Sequence, residues 1–322
     1  MIEEVLPNLY RLEAPLPNNP LKAINSYVIK GHDRNLMVDT GMNREECLTA
    51  LTAGLQELEI KLEETDFFVT HMHADHSGLV AQLSTKESKI YCGDADALVI
   101  NHGIDWEELL EHAQLTGFPA IESREAINRH PGYKYSGRGK LNIYSVKDND
   151  RINVGDYTFQ CIETPGHTYG HVCLYEPEKK ILISGDHILS NITPNISQWL
   201  DDDKCMEDYL SSLDKVYHYD VKLVLPGHRR IIYDHRERID ELKEHHQIRN
   251  NEILELLNCK GKTAYQVASE MQWDLTYKTW GQFPIPQKWF ATGEANAHLK
   301  YLEGQGLVNK SFENSNFVYR LP

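Results

Sequence analysis

The chain has 322 residues, 41% hydrophobic and 25% charged, with a formal net charge of −15. That length exceeds a typical single core, so a large domain and a smaller one are expected. No run approaches the ~18 apolar residues of a membrane helix, and Met1-Ile2-Glu3-Glu4 lacks the basic-then-apolar pattern of a secretory signal. The expected compartment is the cytoplasm.

Residues 250–322 carry seven Lys/Arg and seven Asp/Glu, so the whole acidic excess lies in residues 1–249. Such a field repels nucleic acid at long range. The six cysteines (Cys47, Cys92, Cys161, Cys173, Cys205 and Cys259) are scattered without a C-x-x-C pair. They read as buried thiols in a reducing compartment, not as a zinc ribbon.

In chain order, Leu9–Leu12 and Ile24–Ile29 read as strands around a Pro/Asn-rich loop, and Asn35–Val38 as a strand ending at Asp39-Thr40-Gly41. Cys47, Leu48, Leu51, Leu55 and Leu58 mark a helix over about 44–58. The strand Phe67–Val69 follows, then Thr70-His71-Met72-His73-Ala74-Asp75-His76, a helix over about 78–84 and the strand Lys89–Cys92. Strand, helix, strand at this spacing implies βαβ units with helices on sheet faces.

Residues 94–140 contain two helical stretches in otherwise polar, Gly/Pro-containing sequence. An insertion of this kind is expected to act as a lid or substrate-contacting cap. Strands resume at 141–144, 157–162, 172–175, 180–183 and 223–225, with helices at about 203–219 and 234–258. Thr263–Gln266 fits a capping box opening a short helix. A helix over 286–303 and a hairpin around Glu313-Asn314-Ser315-Asn316 complete the order of a winged helix.

Three imidazoles and a carboxylate within six residues after a buried strand are hard to explain by packing. Three further signals each follow an apolar strand: Pro165-Gly166-His167, Gly185-Asp186 and Pro226-Gly227-His228. Together they supply His71, His73, Asp75, His76, His167, Asp186 and His228. Five imidazoles and two carboxylates suit a pair of divalent cations, zinc first, with iron or manganese as alternatives. Two ions can share a bridging carboxylate and a bridging hydroxide, which is a nucleophile at neutral pH, so the expected reaction class is hydrolysis.

His-x-His-x-Asp-His at 71–76 followed by these three signals resembles the metallo-β-lactamase superfamily, over about residues 20–230. The resemblance implies a four-layer αβ/βα sandwich for residues 1–245, with 94–140 as its insertion, and a small α+β winged-helix-like domain for 246–322. It implies that His71, His73 and His167 hold one ion, that Asp75, His76 and His228 hold the other, and that Asp186 bridges. It makes Asp75 the residue that orients the attacking water, and Asp39 the residue that hydrogen-bonds a ligand histidine.

The added tail resembles the β-lactamase-like protein 2 group. The expected substrate is a small-molecule ester, thioester or related bond. A metal-dependent endoribonuclease and a non-catalytic nucleic-acid-binding regulator are the alternatives. Both are disfavoured by the acidic charge and by a 286–303 helix that balances Lys288 and Lys300 against Glu294 and Glu303. A homodimer is compatible with the tail; a membrane partner is not expected.

Among the other histidines, His102, His112, His130, His245 and His246 are expected at the solvated surface, while His171 and His187 stand beside the ligand motifs. Tyr133 and Tyr135 are candidate substrate contacts. Trp273, Trp280 and Trp289 are expected in the core of the small domain.

Overall fold

The computed structural model describes residues 2–200, 203–258, 260–274 and 277–322. Its elements run β1 (Ile2–Leu6), β2 (Leu9–Pro15), β3 (Ala23–Ile29), β4 (Asn35–Val38), α1 (Glu45–Glu57), β5 (Thr65–Val69), α2 (Ala74–Ser77), α3 (Val80–Leu83) and β6 (Ile90–Gly93). Then come α4 (Asp94–His102), α5 (Trp106–Leu115), α6 (Ala120–Arg129), α7 (Pro131–Tyr135), β7 (Ile143–Val146), β8 (Arg151–Val154), β9 (Tyr157–Glu163), β10 (Val172–Glu176) and β11 (Ile181–Gly185). The chain closes with α8 (Cys205–Tyr217), β12 (Leu223–Pro226), α9 (His235–Leu256), α10 (Ala264–Glu270), α11 (Ile285–Gly304), β13 (Asn309–Glu313) and β14 (Asn316–Arg320). The expected strands and the longer helices are present, and β1, β8, α2, α6 and α7 are additional.

The chain divides into two compact units. The first holds residues 1–103, 135–194 and 212–239; the second holds 104–134, 195–211 and 240–322. In the first, a seven-stranded sheet runs β1-β2-β3-β4-β5-β6-β7 and a five-stranded sheet runs β12-β11-β10-β9-β8. The pairs β4–β5, β5–β6 and β6–β7 are parallel, as the βαβ reading requires.

One core fills the space between the sheets. Tyr27, Ile29, Val38 and Phe68 from the first sheet meet Phe159, Val172, Leu174, Ile183 and Leu225 from the second. The other face of the first sheet buries Met37, Phe67 and Val69 against Cys47, Leu51 and Leu55 of α1 and Val80 and Leu83 of α3. Each such side chain contributes roughly 1.5–3 kcal/mol on burial. The strands are therefore rigid stems, and the loops at their ends are held in place from below.

In the second unit, Thr263 and Gln266 form both halves of the capping box on α10. The β13–β14 hairpin turns through Asn314 and Ser315, both with positive φ (48° and 65°), the geometry of a tight two-residue hairpin turn. Lys262 bridges to Tyr319 alongside it. Trp289 is buried with Leu110, Phe118 and Ile127, while Trp273 and Trp280 lie on the cluster formed by α10, α11 and the hairpin.

The five described cysteines, Cys47, Cys92, Cys161, Cys173 and Cys205, are buried, as expected, and form no disulfide among themselves; Cys259 lies outside the described residues. No described helix is long and apolar enough to cross a membrane. Two surface expectations are corrected. His246 is 1% exposed, with Nδ1 3.3 Å from Nε2 of buried His298. His130 packs against Trp106 and Phe290, and burial pulls its pKa down to about 4.

Candidate metal centre

The expected ligands converge because each follows the end of a buried strand of the first unit. β5 ends at Val69, and Thr70–His73 leads into the single turn α2 carrying Asp75 and His76. Thr40 secures that turn, its N–H and hydroxyl both donating to the His76 carbonyl (2.8 and 2.9 Å). His167 sits in the loop joining β9 and β10. Asp186 directly follows β11, and His228 follows the neighbouring parallel strand β12 by two residues.

Three donor groups form, with ligand atoms all within 4.8 Å of one another: His71/His73/His167, His71/His76/Asp186 and Asp75/His76/His228. Nε2 of His71 lies 3.1 Å from Nδ1 of His73. Nε2 of His228 lies 3.3 Å from Asp75 Oδ2 and 3.5 Å from Asp186 Oδ2. Nε2 of His76 is 3.5 Å from Asp186 Oδ1, and Nε2 of His167 is 3.8 Å from Asp186 Oδ2. Donors about 2.0–2.1 Å from a tetrahedral ion stand roughly 3.4 Å apart, so these spacings fit metal coordination.

Hydrogen bonds behind the rings turn Nε2 inward. Asp39 Oδ2 accepts from His76 Nδ1 at 2.7 Å, and the Ala23 carbonyl accepts from His228 Nδ1 at 2.8 Å. Thr70 donates twice to Asp39, from N to Oδ1 and from Oγ1 to Oδ2, both at 2.8 Å. Its Oγ1 proton is thereby committed, so Oγ1 accepts from His71 Nδ1 at 3.1 Å. One carboxylate thus orients two imidazoles, His76 directly and His71 through Thr70. Asp39 does this from a left-handed backbone (φ 58°), which Asp tolerates better than most residues.

The inner atoms fit a cation. His76 Nε2, His228 Nε2 and Asp186 Oδ1 are buried without a hydrogen-bond partner, an arrangement that is costly unless a bound ion takes up the lone pairs. Burial works against charge on Asp186, but His228 and His76 outweigh it and hold its pKa well below the carboxylate range. Burial likewise opposes charge on Asp75, and His228 and His76 pull its pKa down. Burial, and then the neighbouring imidazoles, push His71 and His73 down, His73 to about 3. For His76, burial disfavours protonation, and the carboxylates of Asp39 and Asp186 overcome it and raise the pKa.

A family model described as the metallo-beta-lactamase superfamily matches residues 20–228. The chain belongs to the metallo-β-lactamase superfamily. It is similar to the beta-lactamase-like protein 2 homolog of Caenorhabditis elegans, 25% identical over 309 residues covering 94% of this chain and 88% of that protein. It is similar to the human acyl-coenzyme A thioesterase MBLAC2, 24% identical over 217 residues, 63% of this chain and 72% of that one. Among solved structures, a metallo-beta-lactamase family protein from Thermus thermophilus superposes with a TM-score of 0.82 at 26% identity, over 99% of this chain and 100% of that one. With this membership and His/Asp groups able to hold metal, the superfamily chain is a metal-dependent hydrolase.

All eight residues expected in the site lie together. Beside them the structure adds Thr70, Thr164 and Asp96, and places His171 there too, buried and stacked 5.2 Å from His71, with Nδ1 2.8 Å from Thr164 Oγ1. His187 is buried 6.1 Å from His171. Tyr133 is 54% exposed, whereas Tyr135 lies under the Arg44 guanidinium.

Asp39→Asn tests the orienting bond. The amide presents a donor either to His76 Nδ1, driving the proton onto Nε2, or to the Thr70 N–H. A roughly 10–100-fold loss of metal affinity is expected, read by competition with a chromophoric chelator, with little change in the folded far-UV spectrum.

Proposed function

We propose that the chain is a dinuclear-metal hydrolase of thioesters and related small carboxylic esters. The observation that carries this is the position of Asp186. Its carboxylate lies within 3.5–3.8 Å of His76, His167 and His228, and so between the triads His71/His73/His167 and Asp75/His76/His228. The similarity to a human acyl-coenzyme A thioesterase supports thioester as the first substrate class.

Two divalent ions, zinc first, would supply Lewis acidity and lower the pKa of water towards roughly 7. The chain's own residues do the rest. His71, His73 and His167 would hold one ion and Asp75, His76 and His228 the other, with Asp186 placed between the two groups. Asp75 Oδ2 faces His228, leaving Oδ1 to orient the attacking water and take its proton. Against the cost of burial, His228 and His76 keep Asp75 ionised at neutral pH, so Oδ1 can accept a hydrogen bond from that water. Asp39 and Thr70 keep His76 and His71 in the tautomer that aims Nε2 inward.

The tail is read as a winged-helix-like domain over residues 246–322. Support comes from the order α9, α10, α11, β13, β14 and from the Lys262–Tyr319 bridge that adds a third strand position. The two lysines of α11 are engaged, Lys288 with Glu122 at 2.8 Å and Lys300 with Glu303 at 3.0 Å. This pairing favours a small-molecule hydrolase over a reader of nucleic acid.

The test is a panel of acyl-coenzyme A thioesters, lactones and aryl phosphodiesters, after elemental analysis of the purified protein. Thiol release that stops on chelation and returns with zinc, iron or manganese is expected. Phosphodiester cleavage without thiol release, or full activity after complete metal removal, would overturn the proposal.

A further inference from the structure

We infer that Asp96 is a positioning residue, a buried carboxylate that ties the turn carrying His71 and His73 to the loop carrying His167. The inference rests on the reading of those three imidazoles as one metal-binding triad. Asp96 is the third residue of α4 and 1% exposed. Its Oδ2 accepts from the Met72 N–H at 2.8 Å and from the Thr168 hydroxyl at 2.6 Å. Its Oδ1 accepts from the Gly170 N–H at 2.8 Å.

The partners are placed with purpose. Met72 is the residue between two of the imidazoles, and Thr168 directly follows the third. One side chain therefore spans two segments almost a hundred positions apart in sequence. The three rings form a near-regular triangle, with centroids 4.7 Å (His71–His73), 4.6 Å (His73–His167) and 4.8 Å (His71–His167) apart. A triangle built from two loops keeps its shape only if the loops are fixed to each other; the Val172 N–H donates to the Thr70 carbonyl at one end (2.9 Å), and Asp96 ties the segments beside the imidazoles themselves.

The backbone is arranged to admit this carboxylate. A Cβ on Gly93, just before α4, would stand 2.1 Å from the Gly170 carbonyl oxygen. A Cβ on Gly170 would stand 2.4 Å from the Asp96 nitrogen and 2.9 Å from its Cγ. Two glycines thus let the first turn of α4 press onto residues 168–170. The positive end of the helix dipole and three donors hold the negative charge there, offsetting the cost of burying it. Burial nonetheless raises the Asp96 pKa, with Thr168 and the two N–H groups pulling the other way.

The experiment compares wild type, Asp96→Asn, Asp96→Ala and, as a control, Asp94→Asn in the full-length protein. Asp94 opens the same helix and bonds Ser145 instead (2.8 Å), so its change removes the same charge without touching either loop. In Asp96→Asn the amide must face at least one of the three donors, with no change in size. Zinc affinity is measured by chelator competition, alongside kcat, KM and the unfolding temperature of the metal-free protein.

Expected are a roughly 10-fold weaker zinc affinity for Asp96→Asn, up to roughly 100-fold for Asp96→Ala, and no change for Asp94→Asn. Lowered unfolding temperature with unaltered zinc affinity would make Asp96 merely structural and overturn the inference. So would an equal loss in Asp94→Asn. Wild type that takes up no zinc, iron or manganese would overturn the triad reading itself, and the inference with it.

Discussion

Asp75→Ala is expected to lower kcat/KM by at least ~10³-fold and to reduce the metal content of the purified protein. The magnitude follows from the several kcal/mol that a properly held ion contributes to transition-state charge stabilisation, at about 1.4 kcal/mol per tenfold in rate. Asp75 is 9% exposed and faces His228 Nε2 at 3.3 Å. Removing it takes away one donor of the Asp75/His76/His228 group and leaves His71/His73/His167 intact. Metal content should therefore fall partially, not to zero.

Asp75→Asn separates the two jobs assigned to this residue. The amide keeps an oxygen that can face an ion but cannot take a proton from water at neutral pH. Near-normal metal content with a large drop in kcat is the expected pattern, read by elemental analysis beside steady-state kinetics. Full turnover in Asp75→Ala with undiminished metal would show that the site assignment is wrong.

The convergence of these His and Asp residues was legible because each sits in a short motif just beyond a largely apolar strand. Such strands are recognisable alone, and their ends must gather at one edge of a sheet. Asp39 could be placed only through the family resemblance, yet its bond to His76 and its link through Thr70 to His71 are plain in the structure. Asp96 had no such signal. It is one of two aspartates opening a helix, and only the fold brings Met72 and Gly170 to it.

The missed elements share a cause. β1, with Glu3 and Glu4 in its middle, and β8, with alternate residues exposed, are edge strands without a continuous apolar run. α6 buries only Ser123, Ala126 and Ile127 along its narrow inner face. His246 lies in the charged sequence Glu244-His245-His246 and looked solvated. Its partner His298 is fifty-two positions away and held in turn by Asn250 (2.7 Å), so burial there is a tertiary fact that no local pattern announces.

Gly227→Ala should impair the site strongly, although it deletes no side-chain donor. In Pro226-Gly227-His228 the glycine's φ is not positive, so a left-handed backbone is not what calls for it. Space is the reason for glycine. A Cβ there would stand 2.6 Å from Asp186 Oδ1 and 2.7 Å from His76 Cε1.

Nor can the backbone retreat. The Gly227 carbonyl accepts from the Asn25 N–H at 2.7 Å, and its own N–H donates to the Gly185 carbonyl at 2.8 Å. His76 is held by Asp39, so Asp186 is the group that must yield, and moving it pulls the carboxylate away from the three imidazoles that surround it. Overpacking of this kind costs about 1–3 kcal/mol, and an ångström of misplacement costs about 10²-fold in rate. Expected are a kcat/KM lowered about 10²-fold, weaker metal binding in chelator competition and a modest loss of thermal stability. Gly281→Ala, where a Cβ meets nothing within 4 Å, should change none of the three. Wild-type metal affinity in Gly227→Ala would mean that Asp186 can leave its position without cost, which is incompatible with a carboxylate shared between two ions.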